Sequence, residues 1–364
     1  MHATTFVRLA KRASRRSFTE AVYTSTGIDR TLPSDIRATL TERCNYRCVY
    51  CQHWRQDAYT PEMTLLEWQG VLSSVRSYVG HYGVQFLGGE PMIMPWFSDL
   101  AMFCRDARID WGVVTNGSSL SGPRVARIAE ARPLNVDVSI DSRSEAVNDT
   151  ARGIVGAMRR VSQGIAALVE ARAAAGANFP IRLKTVVTRQ NFESLSELVG
   201  WAQGMPGVLV DFSPVRLWRP EEIAAQYPVA GPEMDALERR IDHLKLLKRN
   251  GAPIETSVAK LEAIVPHFKG EPSVHGVGSC RVGLRSLDIR PNGDVNHCWK
   301  FEKVGNLRHT SMEDIWRDAN RRQIVDDTLA CDLFKTTCSM SCMAHRTLGQ
   351  DIRRGLQIAR VSAR

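Results

Sequence analysis

From Asp35 to about Val215 short β-rich runs alternate with runs of helical period. The strand candidates are IRATL (36–40), VQFL (84–87), WGVVT (111–115), NVDVSI (135–140), IRLKTVV (181–187) and VLVDF (208–212). In NVDVSI, Val136, Val138 and Ile140 alternate with polar residues, the period a half-buried strand requires. Between the first two strands, Leu65, Trp68, Leu72, Val75 and Val79 stand at helical spacing, and Thr64 with Glu67 forms the pattern of a capping box. The run from Arg152 to Ala175 reads as a second amphipathic helix.

Six strand-then-helix units in a row imply parallel strands joined by right-handed crossovers. A closed eight-fold barrel takes about 250 residues. This stretch is shorter, so the pattern predicts an α/β fold, a partial (β/α)6 TIM-like barrel. In such sheets ligands gather at the carboxyl ends of the strands. The chain then divides into a basic arm (1–34), the barrel (35–218), a helical linker (219–269), a cysteine-bearing module (270–350) and a tail (351–364). Helices are expected at about 232–249 and 256–268.

Composition narrows the class. The chain has 364 residues, 43% of them hydrophobic and 24% charged, as in ordinary globular proteins. No run is apolar enough for a membrane span, and the basic start lacks the apolar segment of a secretory signal. A cytoplasmic location is expected. The net charge is +9, and RLAKRASRRS at 8–17 contains no acid. That arm reads as solvated, or as a contact for an acidic partner. Nine cysteines, an odd number, read as metal ligands or buried thiols rather than disulfides. Cys104, on the helix after the second strand, reads as a core thiol.

Cys44, Cys48 and Cys51 follow the first strand with the spacing C-x3-C-x2-C. A closed zinc site needs a fourth ligand, whereas an iron-sulfur cube held by three cysteines leaves one iron open. This motif resembles the signature of the radical S-adenosylmethionine (AdoMet) superfamily. The resemblance covers residues 35–215 and extends to the other strand ends. It implies that the three cysteines hold a [4Fe-4S] cluster and that its open iron binds AdoMet. Tyr50 matches the aromatic position near the adenine. Gly88, Gly89, Glu90 and Pro91 match the motif that holds the AdoMet amino group. Thr115, Asn116, Ser139 and Asp141 put small polar groups on the same rim. Arg152, in NDTARG, matches an arginine that reaches the AdoMet carboxylate. His53 and Trp54 are expected to line the site. The implied chemistry is reductive cleavage of AdoMet to a 5′-deoxyadenosyl radical, which takes hydrogen from a substrate carbon.

The other cysteines, Cys280, Cys298, Cys331, Cys338 and Cys342, lie near the C-terminus. PNGD reads as a hairpin turn between LDI and VNHC, bringing Cys280 and Cys298 together. The opening C-x12-G-x4-C resembles the SPASM or shorter twitch extension of radical AdoMet enzymes. A full SPASM module has seven cysteines and a C-x2-C step; five occur here, and Asp332 stands six residues before Cys338, where that pattern has a cysteine. The resemblance implies one auxiliary [4Fe-4S] cluster, a second being disfavoured. A zinc ribbon is the competing reading. His275 and His297 receive no role.

The implied substrate is a peptide in ribosomal-peptide or natural-product maturation. The alternative is a small molecule: a sugar, aminocyclitol or nucleoside that is dehydrogenated or epimerised. A reductase such as flavodoxin or ferredoxin is the expected electron source. Only about 35 residues precede the first strand, too few for a recognition domain, so a separate peptide-recognition protein is expected. Membrane and nucleic acid are not expected partners.

Overall fold

The computed structural model describes residues 3–56, 58–216, 227–271, 279–334 and 338. The six expected strands are β1 (Asp35–Thr41), β2 (Gly83–Gly88), β3 (Asp110–Thr115), β4 (Asn135–Ser139), β5 (Ile181–Val187) and β6 (Val208–Pro214). They lie side by side in sequence order, and every pair is parallel. Helices follow the strands: α2 (Leu65–Val79), α3 (Phe97–Asp106), α4 (Gly122–Glu130), α5 (Glu145–Arg152), α6 (Ala157–Ala174) and α7 (Leu195–Gln203). This is the open, partial barrel.

Strand alternation divides the residues between two faces. Ile36, Ala38, Leu40, Phe86, Val113, Val136, Val138, Ile181 and Leu183 are buried beneath the helices. The inner face is polar at mid-strand. There Arg182 Nε meets Asp137 Oδ1 at 2.7 Å and Lys184 pairs with Asp211. The capping box of α2 forms as expected: Thr64 Oγ1 accepts from Glu67 N at 3.3 Å, and Glu67 Oε2 from Thr64 N at 2.7 Å.

Two expectations change. The run from Arg152 to Ala175 is not one helix. It breaks after Arg152, because Gly153 (φ 64°) and Gly156 (φ 76°) take left-handed conformations. At Gly153 a side chain would strike the Arg47 carbonyl, so the break lets the chain pass close to the cysteine loop. Residues 3–26, read as part of an arm, form a helix, α1 (Ala3–Thr26). Its C-terminal half docks on the far module: Arg285 Nη2 donates to Glu20 Oε2 at 2.7 Å, and Tyr23 donates to Asp326 Oδ1 at 2.7 Å.

The helix expected at 232–249 spans Glu233–Arg249, and the segment expected at 256–268 forms two short helices, Val258–Glu262 and Ile264–Phe268. The hairpin also forms. β7 (Ser286–Ile289) and β8 (Asp294–Asn296) pair antiparallel, and β9 (Gly305–Asn306) adds to β8. Gly293, with φ 86°, supplies the turn. β7 also pairs parallel with β1, so a single sheet runs β6-β5-β4-β3-β2-β1-β7-β8-β9. Arg37 Nε and Asp288 Oδ1 are 2.8 Å apart across that junction. His297 is buried, its Nδ1 2.7 Å from the Ser286 carbonyl oxygen and its ring edge-on to Trp316. It serves packing. Cys104 is a buried core thiol.

Candidate active site

The carboxyl ends of the parallel strands enclose a cavity of about 380 Å³. Cys44, Cys48, Cys51, Tyr50, His53 and Trp54 line one side. Gly88, Gly89, Thr115, Asn116, Ser139 and Arg152 line the rest, with Lys184, Thr185, Val186 and Ser213 from the last two strands. The three thiols are free and half-buried.

The cysteine loop is held from several directions. Gly88 and Gly89 pack against backbone: a Cβ on Gly88 would strike the Thr41 carbonyl oxygen, and one on Gly89 that of Arg43. Gly89 N donates to Thr41 O and Glu90 N to Arg43 O, both at 2.9 Å. The glycines therefore fix the exit of β1, from which the cysteines start. Arg47 N donates to Arg152 O at 3.2 Å, and Val49 N to Ala151 O at 3.0 Å. Trp54 Nε1 closes the loop on the Cys48 carbonyl at 2.9 Å.

Glu90 is fully buried. It accepts from Asn116 N at 2.6 Å, Thr115 Oγ1 at 2.8 Å and Met92 N at 3.0 Å. Burial pushes its carboxyl up to about 7, against the pull of those donors. Glu90 thus ties GGEP to TNG, and it is not among the residues lining the cavity. Pro91, buried, starts the single 3₁₀ turn that follows.

Asp141 forms a second hub. Its Oδ2 accepts from Tyr50 Oη at 2.5 Å and lies 3.0 Å from Arg152 Nη2. Its Oδ1 accepts from Val186 N at 2.9 Å. Asp141 holds the Arg152 guanidinium charged despite burial. Arg152 Nη1 points at Cys48 Sγ from 3.9 Å, and Tyr46 N donates to Cys44 Sγ at 3.4 Å. Burial drives the Cys44 thiol up to about 11, and nearby Glu90, Cys48 and Cys51 add to that.

These residues fit an iron-sulfur cube. Three free thiols line the cavity, backbone and guanidinium donors face two of the sulfurs, and among the described residues no fourth cysteine enters the lining. Among the described residues no group of three or more His, Cys, Asp or Glu side chains is gathered tightly enough to hold a single metal ion.

In the C-terminal module Cys280, Cys298, Cys331 and Cys338 come together. Each of the other three raises the Cys280 thiol electrostatically, while burial, the largest effect, takes it to about 12. Cys280 packs with Val282 and Phe334, and Cys298 lies against the same cluster. Lys300 Nζ is 3.8 Å from Cys331 Sγ. Among the described residues these four thiols are the ligands available to an auxiliary cluster. Cys342 and His275 lie outside the described residues.

Sequence reading missed Lys184, Thr185, Val186 and Ser213. A signal existed: IRLKTVV alternates, and Lys184 and Val186 share the inner face with Arg182.

The Radical SAM superfamily model matches residues 38–198, and the iron-sulfur cluster-binding SPASM model matches residues 280–343. The chain is thus a radical SAM enzyme with a C-terminal SPASM domain. It is 29% identical over 296 residues to an AdoMet-dependent heme synthase of Methanosarcina barkeri, covering 79% of this chain and 83% of that one. It is 24% identical over 292 residues to a PqqA peptide cyclase of Methylocella silvestris, covering 78% and 74%. Its fold resembles Streptococcus suis SuiB bound to the precursor peptide SuiA, with TM-score 0.62, 18% identity, and 83% and 68% of the two chains covered. Its cofactors are a [4Fe-4S] cluster and AdoMet. No helix among the described residues is long and apolar enough to cross a membrane.

Proposed function

We propose that the enzyme modifies a peptide during ribosomal-peptide or natural-product maturation, starting with removal of a hydrogen atom from a substrate carbon. The observation that carries the reading is the cavity itself, where three free thiols and Arg152 share one chamber at the strand ends. When bound, the cluster and AdoMet supply the 5′-deoxyadenosyl radical. Cys44, Cys48 and Cys51 would hold the cluster. Tyr50 and Asp141 orient Arg152, whose guanidinium suits a carboxylate such as that of AdoMet. Thr115, Asn116 and Ser139 offer polar groups to the same cavity, which Trp54 also lines. The peptide assignment draws on the PqqA peptide cyclase and on the fold shared with peptide-bound SuiB. One auxiliary cluster on Cys280, Cys298, Cys331 and Cys338 would serve turnover. Flavodoxin or ferredoxin would supply electrons, and a separate recognition protein would present the peptide.

The test is to incubate the reduced enzyme with peptides and small molecules encoded or made nearby, following 5′-deoxyadenosine by mass spectrometry. Peptide-dependent 5′-deoxyadenosine with a mass change in the peptide supports the reading. Turnover of small molecules alone, with inert peptides, moves the enzyme to the small-molecule class that the similarity to the heme synthase favours.

A further inference from the structure

We propose that the far end of the barrel carries a second binding site, an arginine-lined pocket for a small anion bearing two or more phosphate groups. The inference does not depend on the reaction proposed above. The pocket measures about 430 Å³ and lies at the amino ends of β2 and β3, opposite the cysteine loop. Arg76, Arg105, Arg108 and Arg132 line it, together with His81 and Asp110.

The charges do not cancel locally. Four arginines and one carboxylate, Asp110, line the pocket, and His81 Nε2 already contacts that carboxylate at 2.8 Å. Arg105 is paired with Asp106 at 2.8 Å. The other three have no carboxylate partner among the described residues. Arg76 Nη1 donates to the Arg108 carbonyl at 3.0 Å. Arg132 reaches the Gly176 and Ala175 carbonyls, each at 3.4 Å. The Arg108 guanidinium has no hydrogen-bond or ion-pair partner among the described residues.

Helix ends explain part of this, since cations suit the carboxyl termini of α2, α3 and α4. They do not explain why three arginines without a carboxylate partner line one concavity. Backbone geometry adds a second observation. Arg108 (φ 53°) and Arg132 (φ 48°) are the only described non-glycine residues with positive φ. They follow α3 and α4 directly after the C-cap, where glycine is the usual occupant. Arginine at both positions puts a cationic residue on the pocket lining where glycine would relax the backbone.

The chemistry selects the ligand class. Guanidinium forks match phosphate oxygens, and a concavity of this volume holds a diphosphate rather than an extended chain. Trp111 is almost wholly buried, so the floor offers little ring face to a base. Recognition then rests on the phosphates, whether inorganic or part of a nucleotide.

The test is calorimetric titration of the anaerobically purified full chain with inorganic pyrophosphate and with ADP, at low and at moderate salt. The comparison is with the double variant Arg108→Gly, Arg132→Gly. Glycine relieves the left-handed backbone, so the variant keeps or raises its melting temperature while losing both guanidinium groups. Wild type is expected to bind both anions, more weakly as salt rises, and the variant at least tenfold more weakly. Tighter binding of ADP would make nucleotides the source of the same chemistry. Iron chelation by pyrophosphate would be equal in both proteins. Equal binding by the two proteins, or no binding to wild type at low salt, overturns the site.

Discussion

Tyr50 donates its phenolic proton to Asp141 across 2.5 Å, tying the loop that carries the cysteines to the end of β4. The same carboxylate faces the buried Arg152 guanidinium at 3.0 Å. Asp141→Asn would leave that guanidinium without its counter-charge. Breaking a buried pair costs about 3–5 kcal/mol. The expected outcome is a large fall in melting temperature and weakened AdoMet binding in equilibrium dialysis. Tyr50→Phe, which keeps the ring and the ion pair, should cost only about 1 kcal/mol.

The glycines separate two kinds of backbone requirement. Gly89→Ala would drive a methyl group into the Arg43 carbonyl, where neither side can yield cheaply. Loss of more than about 3 kcal/mol and poor iron loading are expected. Gly70 lies in α2 with nothing within 4 Å of its Cβ position. Gly70→Ala should therefore stabilise the protein by about 0.5–1 kcal/mol, measured by thermal melting.

Glu90 gives a pH signature. Its folded value of about 7 exceeds the ordinary 4.5, so its contribution to stability is fully present below pH 4.5 and is lost as pH rises through 7. The span amounts to about 3 kcal/mol. In thermal melts from pH 5 to pH 8 wild type should lose stability relative to Glu90→Gln, which cannot titrate. Parallel curves would show that the Asn116, Thr115 and Met92 donors outweigh burial.

Iron analysis distinguishes the two cysteine groups. Two four-iron cubes predict about eight irons per chain. Replacing Cys44, Cys48 and Cys51 with Ala should leave about four and abolish 5′-deoxyadenosine formation. Replacing Cys280 and Cys298 should also leave about four, keep some uncoupled AdoMet cleavage and remove product, with circular dichroism confirming the fold. Zinc in place of the second set of irons would make the module a structural ribbon.

Much of this architecture is written in strand periodicity. The six β-rich runs match β1 to β6, and where one face is inner and the other helix-covered the burial alternates, as along β1 and β5. The cysteine spacing locates the loop because ligands must converge from a short segment. Long-range pairing was not legible. Nothing local in Glu20 announces Arg285, and nothing in LDI announces that β7 will lie along β1. The surroundings of Glu90 were hidden in the same way. Nothing in GGEP announces that the Glu90 carboxylate accepts from Asn116, Thr115 and Met92. The break after Arg152 was hidden because Gly153 interrupts an amphipathic run, and the reason, the Arg47 carbonyl, lies over a hundred residues upstream.

The Arg37–Asp288 contact sits on a seam between β1 and β7 that is hydrogen-bonded backbone rather than a linker. The two halves therefore do not behave as interchangeable cassettes. Cutting the gene before β7 would strip β1 of a neighbour and expose its unpaired amides and carbonyls, a template for aggregation. Grafting a foreign C-terminal module would have to reproduce four residues of strand register, Asp35 to Ala38 against Ser286 to Ile289. In-register chimeras should yield soluble protein, and out-of-register ones inclusion bodies, whatever the fit of their cysteines.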